Sequence, residues 1–541
     1  MLDNFNPQMI QDVEGARQAI VLLLNLVEEL KQENLAQRVE IQRLRDENNR
    51  LKGEQGKPDI KPSKKSDHSS EEERRKRRPS RKREKRKKLA DVKIDRNEYL
   101  EIDKATLPQD AKFQGYDPVI VQDLRIETDN ICFHQARYYS ASEQRNYVAE
   151  LPKGYQGQFG PTIRSLVVSL YYAAGMSEPK IIELLEQMGV NISKGKVSTL
   201  LTKETGAWQV EADDIVRAGL GSSSWQNIDD TGTRVNGVNG YCHILSNPFY
   251  TAYATRAHKN RLTVIAVLQN SEQAVLLFNE QTEAWLDKFE TPHWARQRIA
   301  QWPQGKLLNE QEAADLMSGE LSERLNQQQQ ARIYEAGALT AYYAQDKYPV
   351  IPILVSDDAP QFRHLAQEQA LCWVHEGRHY KKLQPQVAYH REILDTVLTQ
   401  LWDYYHDLQT YRANPAPDRA VTLRSEFKRI FAQTTDYEQL NQRLAKTLAH
   451  EEQLLVALKH PEVPLHNNSA ELGARQRVRK RDVSFGPRTE DGKIAWDTFM
   501  TIAETAKKLG VSFYKYIFDR VSQENVMPSL ASIIRSRGQP A

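Results

Sequence analysis

The chain has 541 residues, 40% of them hydrophobic, and its formal net charge is +2. This length exceeds that of one ordinary domain, and this hydrophobic content can supply several folded cores. Three widely separated cysteines, Cys132, Cys242 and Cys372, exclude a disulfide framework and indicate a reducing compartment. The sequence has neither a basic and apolar leader nor a long uncharged apolar run, so we expect neither secretion nor membrane insertion.

Residues 1–55 are predicted to form a coiled-coil helix, because hydrophobic residues recur there with heptad spacing. One core position holds Ile20, Val27, Asn34, Ile41 and Asn48, and the other holds Leu23, Leu30, Gln37, Leu44 and Leu51. β-branched residues at the first position, leucine at the second and occasional asparagine favour a parallel homodimer in fixed register. The alternative is a helix that packs against its own protein.

Residues 56–90 are predicted to be a basic, disordered linker. Between Lys57 and Lys88 there are 16 Lys and Arg against 6 Asp and Glu, an excess of ten positive charges. Such a low-complexity segment does not bury enough apolar surface to fold. It either binds the phosphates of a polyanion or acts only as a solubilising spacer.

Two small modules are predicted next. Residues 91–158 contain short β-prone pieces such as NICFHQARYYS and indicate a small β-rich module, in which Cys132 and His134 lack the partners of a zinc site. Residues 159–218 have helical periodicity and predict a helix-turn-helix, with Ser193 capping the last of three helices. The predicted DNA contacts on that helix are Lys194, Lys196, Ser198 and Thr199. An ordinary helical hairpin without DNA is the alternative.

Four later segments are predicted strands: SWQNIDDTGTRVNG, GYCHILSNPFYTAYAT, RLTVIAVL and YPVIPILVSDDAPQF. Two of them end in paired acids, Asp229-Asp230 and Asp357-Asp358. Strand ends share a crevice in an open sheet, so these acids can meet Glu471 in the first turn of a basic helix capped by asparagines. Three carboxylates supply the oxygen ligands that Mg²⁺ prefers. The simplest alternative for Glu471 is a solvated surface residue.

The ordered motifs of the chain resemble those of the DDE transposases of bacterial insertion-sequence family 66. The matching residues are Asp229-Asp230-Thr231, Asp357, Cys372-Trp373-Val374-His375 with Arg378, Asn467-Asn468-Ser469-Ala470-Glu471, Arg479-Lys480 to Phe485, and Thr505-Ala506-Lys507. Leu472 stands where the family usually has an arginine, and the paired cysteines of the family's N-terminal zinc module are absent.

This resemblance implies a multidomain, mostly α-helical protein with an α/β RNase H-like catalytic core. The core is expected at residues 219–380 and 461–520, with helical insertions at about 272–345 and at 381–460 and a tail at 521–541. The first acid of each pair, Asp229 and Asp357, is expected to act with Glu471 as catalytic residue and metal ligand, holding two Mg²⁺ or Mn²⁺ ions. Within the second pair, Asp358 remains the alternative to Asp357.

The resemblance also implies further site residues and partners. The expected DNA contacts on the basic helix are Arg475, Arg477, Arg479, Lys480 and Arg481, and the expected supporting residues are His375, Arg378, Asn467 and Asn468. The implied activity is binding of the mobile element's ends, DNA cleavage and strand transfer in the bacterial cytoplasm at the nucleoid, with accessory proteins of the same element as possible partners. The alternatives are an RNase H-like nuclease without strand transfer and a catalytically inactive DNA-binding regulator.

Overall fold

A computed structural model describes residues 12–51, 93–103, 106, 108, 111–203 and 205–538. The predicted basic linker at 56–90 lies outside the described residues. The described chain is mostly helical and contains one mixed sheet of five strands. None of the described helices is long and apolar enough to cross a membrane.

The described elements follow one another in four groups. The first group is α1 (Val13–Leu51), β1 (Arg137–Ser140), β2 (Arg145–Val148), α2 (Pro161–Tyr172), α3 (Glu178–Gln187), α4 (Lys194–Thr202) and α5 (Gly206–Leu220). The second is β3 (Trp225–Val235), β4 (Val238–Ser246), β5 (Thr251–Arg256), α6 (Arg261–Leu268), β6 (Leu276–Leu277), α7 (Glu280–Lys288), α8 (His293–Ile299), β7 (Leu307–Leu308), α9 (Glu310–Met317), α10 (Glu320–Arg324) and α11 (Gln327–Ala344). The third is β8 (Ile353–Ser356), a 3₁₀ turn (Pro360–Phe362), β9 (Glu368–Leu371), α12 (Trp373–Lys381), α13 (Ala388–Ala413), α14 (Pro417–Phe431), α15 (Glu438–Ala449), α16 (Glu451–Leu454) and α17 (Val456–Lys459). The fourth is α18 (Asn468–Ser484), α19 (Glu490–Lys508), α20 (Phe513–Val521) and α21 (Leu530–Arg537).

The five-stranded sheet has the order β5-β4-β3-β8-β9. The strands β3, β4 and β5 pair antiparallel, whereas β8 is parallel to β3 and β9 is parallel to β8. Pairing between β3 and β8 covers only Trp225 to Asn227 on β3, so Asp229 lies just beyond its end. Asp357 directly follows β8, as the sequence predicts. Asp229 and Asp230 do not end their strand as expected, because β3 continues to Val235 in a hairpin with β4.

The prediction of a strand for RLTVIAVL is wrong, since these residues form helix α6. The Asn260 side chain caps this helix by accepting a hydrogen bond from the Thr263 backbone N–H at 2.9 Å. The five residues from Val264 to Leu268 are all buried. A helix that is buried all round has no polar face, so its sequence lacks the 3.6-residue period that distinguishes a helix from a buried strand.

The described part of residues 91–158 has less β structure than expected. Its regular strands are β1 and β2, which form one antiparallel hairpin. The helices predicted for residues 159–218 form where their periodicity indicates. Ser193 caps α4 as predicted, because its Oγ accepts a hydrogen bond from the Lys196 backbone N–H at 3.2 Å.

The described chain has two large hydrophobic cores. The main core joins α2 to α5, the sheet, the helices between β5 and β8, and the last four helices. A separate core is built by α12 to α17 and includes Trp373. The two helices α18 and α19 pack on the sheet, with α18 against β3 and β4 and α19 against β5. This packing brings the helix that carries Glu471 to the strand that carries Asp229.

Helix α1 contacts its own chain through one face. Glu28 is 1% exposed and accepts hydrogen bonds from the backbone N–H groups of Gln386 (2.6 Å) and Val387 (2.7 Å), just before α13. Asn25 Nδ2 donates to the Asp436 carbonyl at 2.9 Å. Residues of the predicted coiled-coil seam on another face stay exposed: Ile20, Leu23, Val27, Leu30, Ile41 and Leu44.

Candidate active site

The structure brings the three predicted acids together. Asp229 lies on β3, Asp357 follows β8, and Glu471 lies in the first turn of α18. Burial raises the pKa of Asp229 to about 7, and repulsion from Glu471 and Asp357 contributes to the rise. Burial also raises the pKa of Asp357, against the opposing effect of nearby His375. These effects place Glu471 and Asp357 within electrostatic reach of Asp229.

The second acid of each pair is engaged elsewhere. Asp230 Oδ2 accepts a hydrogen bond from Gln361 Nε2 at 2.9 Å, and Asp358 Oδ1 accepts one from the Arg363 guanidinium at 2.9 Å. Successive residues of a strand point to opposite faces, which separates Asp230 from the first acid of its pair. Asp230 nevertheless borders the same cavity as Asp229 and repels Asp357, so its hydrogen bond to Gln361, and not distance, distinguishes it from the first acid of the pair.

Glu471 is held by Arg378 and lies beside His375, both on α12. Its carboxylate is 9% exposed, and its Oε2 accepts a hydrogen bond from the Arg378 guanidinium at 3.2 Å. The Arg378 guanidinium also donates to His375 Nε2 at 2.9 Å. Because arginine only donates, Nε2 accepts and the ring hydrogen of neutral His375 is on Nδ1, which lies 3.6 Å from Glu471 Oε1. The more exposed Arg475 approaches the same carboxylate at 4.0 Å.

A chain of hydrogen bonds ties together the three elements that carry the acids. The backbone N–H of Cys372 donates to the Ser356 carbonyl at 3.0 Å, and the Cys372 sulfur accepts from the Asn467 backbone N–H at 3.3 Å. The Asn467 side chain donates to the Ile228 carbonyl at 2.6 Å and accepts from Asn227 Nδ2 at 2.8 Å. We call this chain the positioning relay. It fixes the first part of β3 and the end of β8 against the start of α18.

Asn467 was predicted as a supporting residue, whereas Asn227 was missed. Asn227 is fully buried in β3, two residues before the first acid and on the same face of the strand. A polar amide at a buried strand position needs a specific partner, and that is the signal in the sequence. The other predicted asparagine, Asn468, is half-buried at the start of α18.

Glycine at position 473 lets α18 lie close to the sheet beside the site. A Cβ atom on Gly473 would lie 2.8 Å from Ile244 Cγ2 and 3.2 Å from Thr251 Cγ2, distances that force a shift. The Gly473 carbonyl also accepts a hydrogen bond from the Tyr253 hydroxyl at 3.1 Å. The close packing at Gly473 therefore fixes the distance between the Glu471 carboxylate and β3.

Cys372, His375 and Glu471 have potential ligand atoms within 4.8 Å of one another. A cysteine binds metal as the thiolate, and burial raises the pKa of Cys372 to about 12. Its sulfur also accepts the Asn467 hydrogen bond. We therefore assign Cys372 to the positioning relay and not to a soft-metal site.

A cavity of about 490 Å³ lies over Asp229 and Glu471. It is lined by Asp229, Asp230, Thr231, His375, Arg378, Glu471, Ala474, Arg475, Val478 and Arg479. Glu471, Arg475 and Val478 share this cavity wall, as their helical spacing predicts. Arg475 and Arg479 are exposed on α18, so the opening beside the acids is positively charged. Arg481, farther along, donates to the Gly232 carbonyl on β3.

Two residues predicted to contact DNA lie inside the protein instead. Arg477 is 1% exposed, donates to Thr255 Oγ1 at 2.8 Å and pairs with Asp497 at 3.1 Å. Lys480 is 4% exposed, and its Nζ donates to the Tyr171 carbonyl at 2.6 Å at the end of α2. Burial lowers the pKa of Lys480 to about 7. In this arrangement neither side chain reaches DNA, which corrects the expectation for both.

The sequence contains a signal for this burial. Ala470, Gly473 and Ala474 are small residues at helical spacing on the buried face of α18. Continuing that stripe by one and two turns leads to Arg477 and Lys480. The spacing of these small residues, and not the positive charge of Arg477 and Lys480, predicts that both side chains are buried.

The predicted contacts on α4 lie at its surface to different degrees. Lys194 is exposed, whereas Lys196, Ser198 and Thr199 are half-buried. The Thr199 hydroxyl donates to the Gly195 carbonyl of its own helix at 2.9 Å. Helix α4 packs against α19, so this region is anchored to the helices over the sheet.

Comparison with known proteins identifies the family. Residues 320–494 match the sequence profile described as "Transposase IS66 family", a range that contains Asp357 and Glu471. The protein y4jO of Sinorhizobium fredii (strain NBRC 101917 / NGR234), described as uncharacterized, is 30% identical over 324 residues. The alignment covers 60% of this chain and 100% of that relative. The chain belongs to the IS66 family of transposases.

Proposed function

We propose that the protein binds the ends of its mobile element, cleaves their phosphodiester bonds with water, and joins the freed 3′-hydroxyl groups to target DNA. The observation that carries this proposal is the meeting of Asp229, Asp357 and Glu471 beside a cavity with exposed arginines. Both steps replace one oxygen on phosphorus by another, so a single site serves for both.

The sheet with α18 and α19 is our candidate for an RNase H-like core. In this proposal the segments at about 272–345 and at 381–460 are helical insertions between the acid-bearing elements. The second segment has its own hydrophobic core in α12 to α17, which supports its assignment as a separate unit. The tail predicted at 521–541 is not a free tail over its described part, because Leu530, Ala531 and Ile534 of α21 are buried in the main core.

The carboxylate cluster fits hard divalent cations, which a transposase family leads one to expect. Asp229 and Glu471 line one cavity and Asp357 lies within electrostatic reach of Asp229, whose raised pKa reflects burial and a repulsion that a cation would relieve. We propose that Asp229, Asp357 and Glu471 hold two Mg²⁺ or Mn²⁺ ions. When bound, such ions activate the attacking oxygen and stabilise the leaving oxygen of an in-line displacement.

The surrounding side chains orient the acids and bind phosphate. Arg378 fixes the Glu471 carboxylate from α12 and His375 packs beside it, while the positioning relay fixes the helix of Glu471. Arg475 and Arg479 are suited to bind the DNA backbone at the cavity mouth, since guanidinium groups pair with phosphate oxygens. Arg481 and the α4 residues Lys194, Lys196, Ser198 and Thr199 complete the proposed DNA contacts.

We further propose that α1 forms a parallel homodimer. Its face with Asn25 and Glu28 contacts its own chain, whereas the heptad seam with Ile20 and Val27 on another face is exposed. In a heptad these two faces lie on opposite sides of the helix, so one helix can serve both contacts. Light scattering gives the molar mass of the full-length protein and of the double variant Ile20→Asp/Val27→Asp. We expect a dimer mass for the wild type and a monomer mass for the variant, and the same mass for both would contradict the proposal.

The catalytic proposal is tested by isosteric replacement of each acid. Asp229→Asn, Asp357→Asn and Glu471→Gln should abolish cleavage and joining while leaving binding of the element's end duplexes nearly intact. Asp230→Asn and Asp358→Asn are matched controls that should retain activity, because these acids have other partners.

Three results decide among the functions. Cleavage without joining by the wild type would identify a nuclease, and binding without cleavage in Mg²⁺ or Mn²⁺ would identify a regulator. Normal cleavage by Glu471→Gln would contradict the three-acid site.

A further inference from the structure

A second cavity, of about 570 Å³, lies beyond the acids at the tip of the β3–β4 hairpin. It is lined by Gly232, Thr233, Arg234, Asn239, Gly240, Tyr241, Arg481, Asp482 and Phe485. We call it the hairpin cavity. Both β3 and α18 run from the acid cluster to this cavity, so one face of the protein carries both.

Phe485 is held outward at the end of α18. Its side chain is 84% exposed, and its backbone is left-handed with φ of +59°. Such a conformation is costly for a bulky residue and persists only when its surroundings impose it. Here a Cβ on the next residue, Gly486, would lie 2.7 Å from the Arg234 carbonyl, and Asn236 N–H donates to the Pro487 carbonyl at 3.0 Å. The chain is thus pinned to the hairpin on one side of Phe485, with its ring in solvent.

The other walls of the hairpin cavity supply charge and a hydrogen-bonding group. Arg234 and Arg481 bring two guanidinium groups, against the single carboxylate of Asp482. The Thr233 side chain is 4% exposed, and its buried hydroxyl has no hydrogen-bond partner within the described part of the chain. Buried hydroxyl groups normally have a partner, so Thr233 marks an unsatisfied polar position in the cavity wall. An exposed aromatic ring beside two cations matches a nucleotide.

The distance from the acids fits the path of a DNA strand. From Asp229 to Thr233 along β3 the separation is about 13 Å at the usual rise of a strand. From Glu471 to Phe485 along α18 it is about 21 Å at the rise of a helix. At about 3.4 Å per nucleotide, these lengths correspond to roughly four to six nucleotides from the cleaved bond.

We propose that the hairpin cavity binds an unpaired DNA base, which stacks on Phe485 while Arg234 and Arg481 bind the adjacent phosphates. Duplex DNA hides the faces of its bases, so the cavity selects a single-stranded or locally opened strand next to the cleavage site. The proposal deepens the proposed transposase function, since it names the form of DNA that this face accepts.

Binding of single-stranded DNA by the full-length protein tests the proposal without any cleavage. We would measure fluorescence anisotropy of labelled oligo(dT) of 30 nucleotides and of a matched duplex, in Ca²⁺. Phe485→Ala should weaken single-strand binding by about 5- to 150-fold, as loss of one stacked base does, and leave duplex binding within about twofold. Phe485→Trp should restore it, because any aromatic ring can stack.

Val483→Ala is the matched control, since Val483 is another exposed apolar residue at the end of α18 and does not line the cavity. Equal weakening of single-strand and duplex binding by Phe485→Ala, or no weakening of either, would overturn the proposal.

A second experiment locates the base that stacks on Phe485. A single 2-aminopurine replaces each base of the element's end duplex in turn, and its fluorescence is measured with the bound protein. A Phe485-dependent fluorescence change at a position four to six nucleotides from the cleaved bond supports the proposal, and the absence of such a position contradicts it.

These outcomes are separable from failure of the catalytic proposal. Loss of cleavage in Asp229→Asn tests the acids, whereas base stacking is measured in Ca²⁺ with intact acids. A protein that stacks bases but does not cleave DNA would support base binding at the hairpin cavity and contradict the proposed cleavage chemistry.

Discussion

Replacing Arg477 with alanine should destabilise the fold, and any loss of DNA binding should follow from that. The guanidinium pairs with Asp497 at 3.1 Å, donates to Thr255 at 2.8 Å and lies 4.8 Å from the ring centre of Trp496. Removing one partner of a buried ion pair costs about 3–5 kcal/mol, because the other charge is left uncompensated. Asp497 keeps its hydrogen bonds from Thr255, at 2.6 and 2.8 Å, so we expect a loss near 3 kcal/mol.

The matched control is Arg479→Ala, two residues along the same helix. Arg479 is exposed at the cavity beside Glu471, so its loss should change the free energy of unfolding by less than about 0.5 kcal/mol while weakening DNA binding. Urea unfolding followed by tryptophan fluorescence gives the stability, and anisotropy with a labelled duplex gives the affinity. If Arg477→Ala unfolds at the wild-type midpoint and loses as much affinity as Arg479→Ala, Arg477 contacts DNA and our reasoning from burial is refuted.

Three further outcomes are expected. Asn467→Ala should lower the cleavage rate by about 100-fold with unchanged DNA affinity in a binding assay, because breaking the positioning relay displaces Glu471 by a fraction of an ångström or more. The pKa of Lys480 is lower in the folded protein than in the unfolded chain, so this group adds stability to the wild-type protein as pH rises from about 7 to about 10.5. Lys480→Met lacks this contribution. Its free energy of unfolding relative to wild type should therefore decrease as pH rises from about 7 to about 10 in urea titrations. Deleting residues 57–88 should flatten the dependence of log affinity on log salt for any DNA sequence, and an identical slope would make this segment a spacer.

Local patterns in the sequence predict much of the secondary structure around the site. Ser193 is a good N-cap and starts α4, and the apolar run before Asp357 forms β8 and ends at Ser356. The RLTVIAVL segment shows the limit of this reasoning. A short, largely apolar run is compatible with a buried helix and with a buried strand, and only the packing around α6 decides between them.

Tertiary contacts determine the rest of the site. Charge predicts that α18 is basic, but the close approach at Gly473 decides which cations face the sheet. That approach buries Arg477 and leaves Arg475 and Arg479 at the cavity. Asn227 becomes part of the site only because the start of α18 lies beside β3, a pairing of residues 240 positions apart. No local pattern specifies such a contact.

The positioning relay explains how three acids can be held close together in a folded protein. Bringing carboxylates together and burying them disfavours their charged forms, as the raised pKa values of Asp229 and Asp357 show. Repulsion alone would separate β3, β8 and α18. The hydrogen bonds through Cys372 and Asn467 oppose that separation, because opening the site would leave buried polar groups unpaired. The chain's own contacts thus maintain the geometry of the acids, and binding a cation relieves repulsion in a site that is already assembled.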